Sequence, residues 1–126
     1  MWKWLIVSAL LATTAAPSRA QDVEAGERSF RKCSACHRVG EDARNLIGPK
    51  LNGLEGRKAG TIDGYDYSAP NKNADWVWSE TTFKDYIQNP TAKIPGTKMM
   101  FQGIRDEKEI LDLWSFLKQF GPDGKK

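Results

Sequence analysis

The sequence predicts an all-α fold in which helices are joined by unusually long loops. Two segments repeat apolar residues at helical spacing, a third opens on a cap with acidic residues in its first turns, and no strand pattern competes with them. The stretches between them, Gly40 to Trp78 and Pro90 to Arg105, are rich in Gly, Pro, Asn, Asp and Thr and read as loops. So much loop in so short a chain argues against a self-sufficient core, and a large buried cofactor is expected to complete it.

Residues 1 to 20, "MWKWLIVSALLATTAAPSRA", carry Lys3, an apolar run from Leu5 to about Ala16, and small residues at Ser18 and Ala20. This is the pattern of a secretory signal peptide, and its apolar run is shorter than the ~20 residues that span a bilayer. The expected mature chain is residues 21 to 126, enough for one domain with a modest core and exported to the periplasm. It carries 17 basic and 16 acidic side chains, without the excess that nucleic-acid binding needs.

The first helix is expected over roughly Val23 to Cys33, with Asp22 as N-cap and Glu24 and Glu27 in its first turns. Within "SETTFKDYIQNP", Ser79 caps a second helix that places Phe83, Tyr86 and Ile87 on one face and stops at Asn89-Pro90. The strongest pattern is "DEKEILDLWSFLKQFG", where Ile110, Leu113, Trp114, Leu117 and Phe120 share a face up to Gly121-Pro122.

The two cysteines beyond the leader and the single histidine of the chain fall within five positions, "CSACH" at 33 to 37. A disulfide over that spacing closes too small a loop to staple a fold. A thioredoxin-like redox pair belongs in a βαβ context that is absent here, and structural zinc lacks a fourth donor. Cys-x-x-Cys-His is the attachment pattern of c-type haem. Two thiols three positions apart suit thioethers to the two vinyl groups along one porphyrin edge, and the adjacent His37 is placed to bind iron. Without a second histidine, the soft candidates for a sixth ligand are Met99 and Met100 in "KIPGTKMMFQG".

Taken together, "CSACH", "GPKLNGLEGRKAG", "GYDYSAPNKNADWVW", "YIQNPTAKIPGTKMMF" and the terminal helix resemble the class I cytochromes c over nearly the whole mature chain. The resemblance implies covalent haem on Cys33 and Cys36, His37 as proximal ligand and Met99 as distal ligand, with Met100 as a packing residue. It implies that the Pro49 carbonyl accepts from His37, that Tyr67 and Trp78 bind a haem propionate with Arg57 nearby, and that Asn71, Tyr86 and Thr97 surround the methionine sulfur. Gly26 and Phe30 would meet Leu113, Phe116 and Leu117 where the first helix crosses the last. Asn45 departs from the mitochondrial pattern, replacing a loop-bracing histidine, and Thr91-Ala92 replace lysines used in partner docking. A weaker basic ring of Arg31, Lys32, Arg44, Lys98 and Arg105 remains as a docking surface for redox proteins.

A His/Met pair leaves no open position on iron, so the expected function is one-electron transfer by a monomeric carrier between a membrane or periplasmic donor and an acceptor such as an oxidase or reaction centre. The alternatives are a haem subunit docked permanently on a periplasmic dehydrogenase, or a peroxidase or gas sensor in which the methionine leaves the iron.

Overall fold

The computed structural model describes residues 11–13 and 22–126. The leader expected over residues 1 to 20 lies largely outside them. Five helices follow in order: α1 (Val23–Phe30), α2 (Ala69–Lys72), α3 (Glu80–Ile87), α4 (Pro90–Lys93) and α5 (Glu107–Leu117). Among the described residues there is no strand, only an isolated antiparallel bridge between Lys58 and Val77.

Each helix starts on a side chain that accepts an otherwise orphaned backbone N–H. Asp22 accepts from Ala25 N at 3.1 Å and Asp106 from Glu109 N at 3.0 Å. Ser79 and Thr82 form a reciprocal capping box at the head of α3. The other two caps explain where the sequence reading falls short, because α2 and α4 lie inside stretches expected to be loops. Ser68 accepts from Asn71 N and Asn89 from Ala92 N, each followed by a proline whose fixed φ suits a first helical turn. Asn89-Pro90 therefore ends one helix and opens the next.

Two boundaries also move. α1 ends at Phe30 rather than Cys33, because from Arg31 the amides bond three residues back: Lys32 N to Ser29 O at 3.0 Å and Cys33 N to Phe30 O at 2.8 Å. α5 ends at Leu117, and Phe120 N turns back to Leu117 O at 3.2 Å in the same tighter geometry.

The core is the crossing of α1 and α5, the most extensive contact between elements. Phe30 meets Phe116 with ring centroids 5.4 Å apart, and Leu113, Trp114 and Leu117 are buried beneath α3 through Phe83. Gly26 makes the crossing possible: a Cβ there would lie 2.0 Å from Asp112 O and 2.8 Å from Phe116 Cβ.

Two carboxylates on α5 clamp α1 in place. Asp112, buried, accepts from Asp22 N at 2.8 Å and from Lys108 Nζ at 2.7 Å. Glu109 accepts from Ser29 Oγ at 2.8 Å and pairs with Lys32. Burial pushes the Asp112 carboxyl up, but Lys108 and the Asp22 N–H outweigh it and hold it below its ordinary value. The Lys32 ammonium does the same, more directly, for Glu109. Both groups have folded-state values below their unfolded ones, so their stabilisation is complete above the ordinary carboxylate range near ~4 and is lost as pH falls through the depressed values. Thermal unfolding followed by circular dichroism is expected to show Tm falling steeply below about pH 4. Asp112→Asn should lower Tm at neutral pH and flatten that acid limb; an unchanged limb would remove Asp112 from the account.

Candidate functional site

The motif turn, the segment around Pro49, the Tyr67 and Met99 loops, α3 and α5 together enclose a cavity of about 360 Å³. Its wall is mostly apolar, with Leu51, Leu54, Phe83, Ile87, Leu113 and Leu117 at the back. Cys33, Cys36, His37 and Met99 all line it.

The turns that end α1 gather the motif. Cys36 N and His37 N both bond to Cys33 O, at 3.1 and 2.9 Å, so the three side chains are held on one short bend. No disulfide joins Cys33 to Cys36, and burial pushes the Cys33 thiol, before any attachment, up to about 11. Burial also lowers the basicity of the His37 imidazole, against the bond from its Nδ1 to Pro49 O at 2.6 Å. With Nδ1 carrying the proton, the Nε2 lone pair is left for a metal. Gly48 supports this ring by being a glycine: a Cβ there would lie 2.4 Å from the His37 ring. Only its place before Pro49 hinted at that role in the sequence.

At Met99, Tyr86 donates to Sδ at 3.0 Å, and burial raises its phenol to about 12, so it stays protonated and donating. Thr97 Oγ1 accepts from Met99 N at 3.1 Å and also bonds to the Tyr86 hydroxyl. Asn71 reaches the cavity from α2. Tyr86 is held by two indoles, Trp78 at 5.1 Å and Trp76 at 6.3 Å between ring centroids. Trp76 is not among the residues expected at the site, although two tryptophans two residues apart in extended chain share a face.

Arg57, Tyr67 and Trp78 all line the cavity. Trp78 and Arg57 are brought together by paired backbone bonds, Trp78 N to Arg57 O at 2.8 Å and Gly56 N to Trp78 O at 2.9 Å. Arg57 gives one N–H to Asn52 O at 2.8 Å, while its buried Nε has no partner. Tyr67 accepts from Ile62 N at 3.0 Å and keeps its O–H to donate. A half-buried guanidinium whose buried Nε–H is unused is costly unless an anion is brought to it. The site thus offers two thiols, an imidazole, a thioether, apolar walls and an unspent cationic donor, which fits an amphiphilic iron porphyrin with acidic side chains.

Two expectations about the rim change. Met100 does not pack: it is 86% exposed at the mouth of the cavity. Met100 is the central residue of a tight turn closed by Phe101 N to Met99 O at 3.1 Å, and its side chain stands out from that turn. Of the basic ring, Lys32 and Lys98 line the mouth, and both are already paired. Lys32 pairs with Glu109, and Lys98 donates to Asp66 O at 2.7 Å and Asp66 Oδ2 at 3.2 Å. Arg31, Arg44 and Arg105 are exposed but stand back from the mouth. Asn45 braces the loops itself, donating to Asp63 O and accepting from Lys50 N, both at 3.0 Å.

A family model described as cytochrome c matches residues 23–121. Cytochrome c2 of Rhodoplanes tepidamans is 64% identical over 106 residues, covering 84% of this chain and 99% of that protein. Cytochrome c-550 of Bradyrhizobium diazoefficiens is 59% identical over 101 residues, covering 80% of this chain and 74% of that protein. Among solved structures, cytochrome c2 from Rhodospirillum centenum matches with a TM-score of 0.73 and 41% identity over 80% of this chain and 99% of its own.

Proposed function

The chain belongs to the cytochrome c family, and from that premise we propose which residues hold its haem and whom the protein serves. It is an electron-transfer protein, not an enzyme, and carries c-type haem covalently through Cys33 and Cys36. When bound, the haem supplies an iron centre that gains and gives up one electron.

His37 and Met99 would hold the haem iron, and the Tyr86 bond to Met99 Sδ carries this assignment, because it fixes one particular sulfur against the cavity. Pro49 keeps the proton on Nδ1 of His37 and holds the ring plane. Tyr86 draws on the electron density of the thioether, and Thr97 sets its position by accepting from the Met99 amide. Arg57, Tyr67 and Trp78 take up the acidic edge, while Leu51, Leu54, Phe83, Leu113 and Leu117 keep water from the iron. With His37 and Met99 both holding the iron, none of its positions would be open to peroxide or a gas.

The cytochromes c2 and c-550 that resemble the chain support a role as a mobile carrier between larger redox assemblies. We place it in the periplasm as a monomer of residues 21 to 126, with a membrane or periplasmic donor and an oxidase or reaction centre as acceptor. Docking uses the cavity mouth, where Ile47 and Met100 are exposed. Because Lys32 and Lys98 are internally paired, attraction to partners depends on salt only moderately.

Met99→Ala in the ferric holoprotein should abolish the weak red sulfur-to-iron charge-transfer band. It should also lower the reduction potential by roughly a few tenths of a volt within the ~0.8 V that axial ligands span. Met100→Ala should retain both. The reverse pattern would assign the ligand to Met100.

A further inference from the structure

Two adjacent methionines occupy opposite environments. Met99 is packed against both apolar clusters, its sulfur accepts the Tyr86 O–H at 3.0 Å and its amide is bonded to Thr97. Met100 is 86% exposed, more than any other large apolar side chain in residues 22–126. It shares the rim of the cavity with Ile47, itself 74% exposed. A thioether is oxidised through its lone pairs, so access to the sulfur decides which methionine reacts first. At Met99 a hydrogen-bond donor and the cavity wall stand in the way, whereas at Met100 nothing does.

We propose that Met100 is a reversible modification site, oxidised by hydrogen peroxide to the sulfoxide, and that this switches the polarity of the docking rim without disturbing the site behind it. The sulfur lone pair attacks one peroxide oxygen, an S–O bond forms as the O–O bond breaks, and the second oxygen leaves as water after taking up the proton of the first. Sulfur loses two electrons and the peroxide gains them. The product replaces a flexible apolar group with a dipolar acceptor, which a partner covering the rim must desolvate without a donor to repay it. Sulfoxide reduction by a thiol-dependent reductase restores the original surface. The consequence for docking rests on the reading of the cavity mouth as the docking surface, whereas the oxidation itself does not.

The test exposes the holoprotein to dilute hydrogen peroxide and locates the added oxygen by tandem mass spectrometry, which separates positions 99 and 100. Met100 should gain oxygen at least about tenfold faster than Met99, and Met100→Leu should remove the fast addition. Equal rates at the two residues, or a fast addition that survives in Met100→Leu, would overturn the proposal. The singly oxidised protein should keep its red charge-transfer band and elute earlier from a phenyl column, and a methionine sulfoxide reductase should reverse the shift. Loss of the band with oxygen on Met100 alone, or an unchanged elution, would refute the switch. A band already absent before peroxide is added would count against Met99 as ligand and leave the mass measurement to decide Met100.

Discussion

Gly26→Ala is expected to lower the stability of this protein by about 2–3 kcal/mol, although alanine is the better helix former by about 1 kcal/mol. The added Cβ would stand 2.0 Å from Asp112 O and 2.8 Å from Phe116 Cβ. The nearest obstacle is backbone and cannot rotate away, so α1 must lift from α5. Lifting it loosens the Phe30–Phe116 contact and draws the Asp22 amide off Asp112, so one methyl group disturbs both the apolar and the polar halves of the crossing. For a domain of this size the loss corresponds to a fall in Tm on the order of 10 °C or more. Thermal melts of the two holoproteins measure it. A Tm equal to or above the parent would mean that α1 and α5 tolerate a wider separation than the structure shows.

The double variant Cys33→Ala/Cys36→Ala should yield little folded protein. The cavity of about 360 Å³ is lined by side chains from both sides of the core, including Leu113, Leu117, Phe83 and Leu54. Without a tethered group these side chains face water or an apolar void, and voids cost about 24 cal/mol per Å³ of cavity, so the penalty approaches the entire stability of a domain this small. Circular dichroism of the purified variant should show little helix and no cooperative transition. A cooperative melt with the parental helical signal would show that the protein side chains suffice for the core.

Local features were legible in the sequence, whereas features created by the fold were not. The motif at 33 to 37 is contiguous, the α5 stripe repeats with a regular period, and Asp22 and Ser79 announce their helices because a cap needs only its next three residues. Met99 and Met100 could not be told apart by composition; what separates them is the tight turn, Phe101 N to Met99 O at 3.1 Å, that leaves Met100 outside while Tyr86 holds the Met99 sulfur, a fact of tertiary placement. Asn52 shows the same limit. It is buried and exchanges two hydrogen bonds with Gly40, at 2.9 and 2.8 Å, yet in sequence it is one more polar residue in a loop. The unspent Nε of Arg57 is equally invisible until its neighbours are in place. The short helices α2 and α4 were hidden for another reason: four residues are too few to display a period, and only their Ser68 and Asn89 caps with the following prolines mark them.

The pairing of α1 with α5 also sets the order of events during synthesis. Asp22 and Asp112 are 90 positions apart, so α1 emerges first but finds its partner only when nearly the entire chain exists. Until then Phe30 has nothing to pack against, and Cys33 and Cys36, just beyond it, sit on an open segment. Contacts so distant in sequence form late and slowly. The interval between making the thiols and closing the core is thus built into the topology, and it is the interval in which a group as large as a porphyrin can be joined to them.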